Sequence, residues 1–217
     1  MCCWWGCLCA GVFVCIGGFA GEKVFYESVT AGVSTKSEWE IEKEVGQVVI
    51  KGVVEGSSIF MNYSSAFSLE HYVEKTGAEK SLDVTKQSPC LIIKGNSKGR
   101  EKIKSYKVGN TPWIQDFKFG FIPFLTNKAK TQPFYIINPD NLDVHEMIAT
   151  KEIEEVLVIE GNKYNTQKIK VTLKGFRKKF WTGYIWFDTT TQLLIKYRAN
   201  KGPGTPYTEI FFVKKEA

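Results

Sequence analysis

The chain predicts a mainly β protein organised as one large antiparallel sheet with few or short helices, and three features of its 217 residues carry that prediction. From Glu22 onward apolar residues recur with period two, and no stretch has the i, i+3, i+4, i+7 spacing of a long amphipathic helix. Turn residues return about every ten positions, a spacing shared by sandwiches, barrels and strongly curved meanders. The third feature is the run from Phe180 to Lys215, which reads as three consecutive strands broken by turn chemistry at Asp188 to Thr191 and Gly202 to Pro206. Its first strand has no polar face: Phe180, Tyr184 and Trp186 alternate with Trp181, Ile185 and Phe187. Both sides are therefore expected to be covered, which makes this run the central wall of the sheet.

The remaining elements follow in order. Trp39, Ile41 and Val45 share one face of a strand over Glu38 to Val45, and Glu38, Glu40, Glu42 and Glu44 share the wet one. Strands follow at Gln47 to Val54, Ser58 to Tyr63, Ser68 to Glu74, Lys80 to Lys86, Cys90 to Lys94 and Lys102 to Val108. Regularity stops between Gly109 and Pro133, where residues 112–125 hold five aromatic rings, two prolines and a glycine. A short helical turn or folded loop, inserted into the concavity of the sheet, is expected there. Strands resume at Pro133 to Asn138, Asp143 to Lys151, Glu154 to Ile159 and Lys163 to Lys174, the last with lysines alternating along its wet face. No internal repeat of propeller or solenoid length is present.

A hydrophobic fraction of 43% supports one domain over residues 21–217. The formal charge of +6 is spread over many lysines. A nucleic-acid footprint needs a clustered basic stripe, and Lys98 to Lys107 is interrupted while Arg177 to Lys179 is short, so no nucleic-acid partner is expected. Five of the six cysteines, Cys2, Cys3, Cys7, Cys9 and Cys15, lie in the first fifteen residues. Cys90 is left alone as a small buried strand residue without a disulfide partner.

Residues 1–20 carry no charged side chain and end in Gly18-Phe19-Ala20, with small residues where a signal peptidase inspects the chain. A cleavable export signal is the favoured reading, although the basic start of such signals is missing. An uncleaved anchor is the alternative, since about twenty apolar residues can span a bilayer; Gly17 and Gly18 oppose it. Lipidation on Cys15 is a third reading, opposed by Phe13-Val14 where a small residue should precede the cysteine.

Catalytic and metal signatures are sparse. His71 and His145 sit in no metal-binding spacing, and neither a dinucleotide nor a phosphate loop occurs, so no metal or cofactor is expected. Gly95-Asn96-Ser97-Lys98-Gly99 matches the letters of a nucleophile elbow, yet an elbow requires a helix afterwards and the next segment reads as a strand. Asn62-Tyr63-Ser64 is formally a glycosylation acceptor. Aromatic residues, by contrast, make up 14% of the chain. Trp39, Phe60, Tyr72, Trp181, Tyr184, Trp186 and Tyr197 either line a pocket for an acyl chain or other apolar group or fill the core, with Phe117, Phe119, Phe121 and Phe124 acting as plug or lid.

This order of features, with the segment Glu155-Val156-Leu157-Val158-Ile159-Glu160-Gly161-Asn162-Lys163, the lysine-alternating strand and the run Trp181 to Tyr197, resembles the exported bacterial proteins of domain of unknown function 3108. Those proteins are similar in fold to the lipoprotein carriers LolA and LolB, and the resemblance covers residues 22–215. It implies a half-open antiparallel barrel around a hydrophobic cavity, a periplasmic or envelope location near a membrane, and a lipid, lipoprotein or hydrophobic protein segment as non-covalent partner. The carriers close their cavity with helices, whereas here the aromatic stretch at 112–125 would have to serve, so no residue-level function carries over. An envelope interaction module without a pocket is the competing reading, and a hydrolase using Ser97 or a carboxylate pair is the third.

Overall fold

The computed structural model describes residues 21–216 apart from 79, 98, 99, 176, 177, 179, 201 and 203, and the expected leader at 1–20 lies outside the described residues. Eight strands come first: β1 (Glu22–Thr30), β2 (Val33–Glu44), β3 (Gln47–Val54), β4 (Ser57–Ser64), β5 (Leu69–Thr76), β6 (Lys80–Gln87), β7 (Cys90–Ser97) and β8 (Arg100–Lys107). Two helical turns follow, α1 (Phe117–Gly120) and α2 (Ile122–Thr126). Six strands complete the chain: β9 (Thr131–Ile137), β10 (Val144–Ile159), β11 (Asn162–Leu173), β12 (Thr182–Asp188), β13 (Leu194–Asn200) and β14 (Tyr207–Glu216).

All fourteen strands belong to one antiparallel sheet in the order β8-β7-β6-β5-β4-β3-β2-β1-β14-β13-β12-β11-β10-β9. Two meanders are thus stitched together where β1 meets β14, from Lys23 opposite Glu216 to Thr30 opposite Thr208. The first and last strands lie mid-sheet, and the strands flanking the helical turns form its two ends. β8 and β9 share no ladder, so the sheet is curved but not closed.

Period-two alternation explains the curl. Val24 and Tyr26, Trp39 and Ile41, Val48 and Ile50, Met61 and Tyr63, Leu82 and Val84, and Leu91 and Ile93 are buried on one continuous face. A single sheet can hide such a face only by wrapping around it, and twist supplies the curvature. Register shifts at Phe25/Tyr26, Asn62/Tyr63, Lys151/Glu154 and Trp186/Phe187 add to that twist. Gly52 faces Trp39 across β2 and β3, and a Cβ there would overlap the indole. The glycine lets the ring lie against the sheet.

Some expectations need correction. Val45 is fully exposed, because β2 ends at Glu44 and Val45 sits with Gly46 in the turn. The two strands expected over 143–159 are one, bent by a bulge between Lys151 and Glu154. Cys90 is half-buried at the start of β7. Among the described residues no second layer covers the outer side of β12. There the ammonium of Lys168 lies 4.9 Å from the Tyr184 ring and 5.1 Å from Trp186, and that of Lys196 lies 5.8 Å from Trp186, leaving Trp186 only 8% exposed. Long lysine stems do the covering.

Candidate functional site

The segment after β8 enters the hollow of the sheet. Tyr135 N donates to Pro112 O at 2.9 Å and Ile114 N donates to Tyr135 O at 2.8 Å, so the segment runs along the free edge of β9. The Gln115 side chain extends this pairing: its Nε2 donates to Ile137 O at 2.9 Å, and its Oε1 accepts from Ile137 N at 3.1 Å. Asp116 then caps α1 by accepting from Lys118 N at 2.7 Å, and Pro123 is the second residue of α2, in the first turn where a missing N–H is harmless. The two turns form a plug. Phe119, Phe121 and Phe124 are buried, with ring centroids 5.5 Å apart for Trp39 and Phe119 and 5.3 Å for Phe121 and Phe134. Lys151 ties down the far end, donating to Leu125 O at 3.2 Å and to Asn127 O at 2.6 Å. Burial pushes its pKa down.

One ion pair lies within this aromatic interior. Asp116 Oδ2 and Lys118 Nζ are 3.0 Å apart with both side chains 11% exposed, and the ammonium stands 4.4 Å from the Trp39 ring centroid. Nearby phenols respond. Burial first, and the Asp116 charge second, hold Tyr26 and Tyr63 above the ordinary tyrosine range; for Tyr72, burial is reinforced by Glu74 and then Asp116. Tyr72 Oη donates to Glu74 Oε2 at 3.0 Å, while the buried Tyr26 hydroxyl has no hydrogen-bond partner among the described residues.

A cleft of about 650 Å³ begins where the plug stops. Phe117, Ile136, Met147, Leu173, Trp181 and Tyr197 line it, and Asn138, Asp140, His145 and Asn200 contribute polar atoms. Phe117 and Tyr197 approach to 6.1 Å between centroids, and burial pushes the Tyr197 phenol up to about 12. Trp181 is held by its indole, which donates to Asn200 O at 2.6 Å. A volume of this size, apolar with a few polar groups, belongs to the range of small-molecule sites.

The aromatic residues singled out from sequence therefore divide into three sets. Phe117, Trp181 and Tyr197 line the cleft. Trp39, Tyr72, Phe119, Phe121 and Phe124 are buried in the packed interior above it. Phe60, Tyr184 and Trp186 lie on the outer face: Tyr184 and Trp186 stand opposite Lys170 and Lys168, and Phe60 lines an outer groove of about 560 Å³ with Val53 and Val73. Ile136, Met147 and Leu173 were missed as cleft residues, although their strands were legible, because lining depends on which strands become neighbours. The Asp116–Lys118 pair was missed too. Opposite charges two residues apart within a run of rings were the available signal.

Ser97 ends β7 and pairs with Arg100 of β8, so a strand follows it and the strand–turn–helix geometry of an elbow is not formed. His71 meets Asp83 at 3.0 Å, both half-exposed. Among the described residues no group of three or more His, Cys, Asp or Glu side chains is placed to hold a metal, and no helix is long and apolar enough to cross a membrane.

Fold and site together define a class: a half-open antiparallel barrel that carries its own aromatic plug. Among solved structures the chain matches a β-barrel-like protein of domain of unknown function DUF1849 from Brucella abortus, with a TM-score of 0.62 and 9% identity over 91% of this chain and 97% of that one. The two share a fold. The hypothetical lipoprotein YmcC from Escherichia coli matches at 0.37 with 14% identity, covering 92% and 89% of the two chains. A domain described as an outer membrane lipoprotein-sorting protein, from Vibrio parahaemolyticus, matches at 0.31 with 8% identity over 92% and 86%. Neither of these two likenesses reaches the level of a shared fold. No family model matches the sequence, domain of unknown function 3108 included, and no curated protein matches it.

Proposed function

We propose that the chain is an exported cell-envelope protein that binds a hydrophobic ligand, a lipid acyl chain or an apolar protein segment, in the cleft beside Phe117, and does so without catalysis. The observation that carries this reading is the cleft itself, an apolar hollow of about 650 Å³ left beside an otherwise packed interior. The apolar leader at 1–20 supports export, and the envelope is where an exported acyl-chain binder would meet membrane lipid. Native mass spectrometry of the purified protein tests occupancy, and quenching of Trp181 fluorescence by a spin-labelled fatty acid tests the site. Leu173→Trp, which fills the cleft, is expected to weaken that binding at least tenfold. Absence of bound lipid together with unsaturable quenching would sink the proposal.

A second reading, an interaction module of the envelope, is favoured by a different observation: a projecting hairpin with exposed Ile153, Val156 and Val158.

A further inference from the structure

β10 and β11 outrun their neighbours. β9 pairs with β10 only from Val144 to Thr150, and β12 pairs with β11 only from Thr166 to Thr172. The stretch from Glu152 to Tyr164 therefore reaches beyond those ladders as a two-stranded arm, its base tied in by Lys151 N donating to Lys130 O and Thr189 N donating to Asn165 O, each at 2.9 Å. One face of the arm folds back, with the Tyr164 ring 6.1 Å from Phe212. The other presents Val156 and Val158, 58% and 63% exposed, and Ile153 beside them is 75% exposed. Between Lys151 and Lys163 four glutamates outnumber two lysines. The arm is acidic, with Glu154 and Glu160 outside the contacts that Lys168 makes to Glu152 at 3.8 Å and Glu155 at 3.6 Å; it is apolar on its outer face, and no ladder among the described residues pairs its outer edges from Glu152 to Tyr164.

The opposite features meet at β8. It is an end strand whose backbone, among the described residues, forms a ladder on one side only, with β7, whereas the corresponding edge of β9 is occupied by Pro112 to Gln115. β8 carries Arg100, Lys102 and Lys107 against Glu101 alone and exposes Ile103 at 65%, while Lys104 is paired with Asp143 at 2.9 Å and Tyr106 lies against Tyr135 with ring centroids 5.5 Å apart. Lysines on an open edge guard it against a copy of itself. They do not guard it against an acidic strand. Pairing arm with arm, or edge with edge, sets like charges opposite one another, whereas pairing arm with edge sets glutamates against Lys102 and Lys107 and apolar residues against Ile103.

We propose that the arm of one copy adds as a strand to β8 of a second copy, continuing the sheet from molecule to molecule. The contact is heterologous, so a joined pair still has one free arm and one free edge for further partners, and the products are open chains or a closed ring. A contact one strand wide, held by exposed charges, is weak and salt-sensitive. It involves no residue lining the cleft beside Phe117, so its failure and the failure of the ligand proposal are independent.

Sedimentation of the purified protein tests this directly. The average mass is expected to rise with concentration at low ionic strength, with association weakened roughly tenfold in high salt. Charge reversal in the arm (Glu152→Lys with Glu154→Lys) or in the edge (Lys102→Glu with Lys107→Glu) should leave each variant monomeric with an unchanged circular dichroism spectrum. An equimolar mixture of the two should associate again, because reversed arm meets reversed edge and native arm meets native edge. A wild-type protein that stays monomeric at every concentration, an association that survives either reversal, or a mixture that stays monomeric would each overturn the proposal.

Discussion

Asp116 and Lys118 hold opposite charges where rings have displaced water, and such a pair is costly to break from one side. Lys118→Met leaves the Asp116 carboxylate buried and uncompensated, and is expected to cost about 3 kcal/mol in urea unfolding; adding Asp116→Asn should recover part of that loss. The buried tyrosines give a second residue-scale expectation. Unfolded phenols ionise near pH 10, while Tyr26, Tyr63 and Tyr72 are held above that value and Tyr197 at about 12. The folded protein then binds more protons than the unfolded chain. Its stability is complete below pH 10 and falls as pH rises beyond it, by up to about 1.4 kcal/mol per tyrosine per pH unit. Lys151 acts in the other direction, since its lowered pKa makes stability rise with pH up to the unfolded value of 10.5. Above that value Lys23, Lys51 and Lys174, whose pKa values are raised by hydrogen bonds to Glu38, Glu42 and Glu146, act in the same direction as the phenols. Denaturant midpoints at pH 9, 10 and 11 check the slope, and Tyr26→Phe should flatten it while costing little at neutral pH, because the hydroxyl it removes has no partner.

At the scale of elements, α1 and α2 are too short to stand alone, and their position depends on what they bury. Phe121 is fully buried and touches Phe117, Phe124, Phe134 and Phe187, rings drawn from the plug, β9 and β12. Phe121→Ala is expected to destabilise the protein by about 4 kcal/mol in thermal or urea unfolding. A loss below about 1 kcal/mol would mean that the plug is loosely held. The plug was legible as an aromatic, proline-interrupted insertion, because its composition fits neither a period-two strand nor a long helix. Its route was not: Pro112 to Gln115 pairs with β9 through backbone and amide bonds that no local pattern announces. β12 shows the converse. Its two apolar faces were plain in the sequence, but their covering was misjudged, since lysines from β11 and β13 lie over Tyr184 and Trp186 in place of a second layer.

Across the whole molecule, two end strands that never pair decide the behaviour. β8 and β9 share no ladder among the described residues, and side chains cross between the two ends of the sheet, Lys104 reaching Asp143 at 2.9 Å and Tyr106 lying 5.5 Å from Tyr135 between ring centroids. The structure of the Brucella abortus protein shares this fold at 9% identity, as expected when alternation of residue type, not residue identity, specifies the architecture. The ligand and assembly predictions belong to this scale and separate cleanly. Leu173→Trp acts in the cleft, and the charge reversals act on the arm and edge.

The sequence by itself determined the fold class, most strand positions and the aromatic insertion, because period-two alternation and turn chemistry are local and survive without knowledge of neighbours. Tertiary structure alone decided that β1 joins β14, that Phe117, Trp181 and Tyr197 share a cleft with Met147 and Leu173, and that Phe60, Tyr184 and Trp186 face outward. Alternation says that two faces exist, but which face turns inward is settled by curvature and strand order, which arise from contacts between residues far apart in the chain.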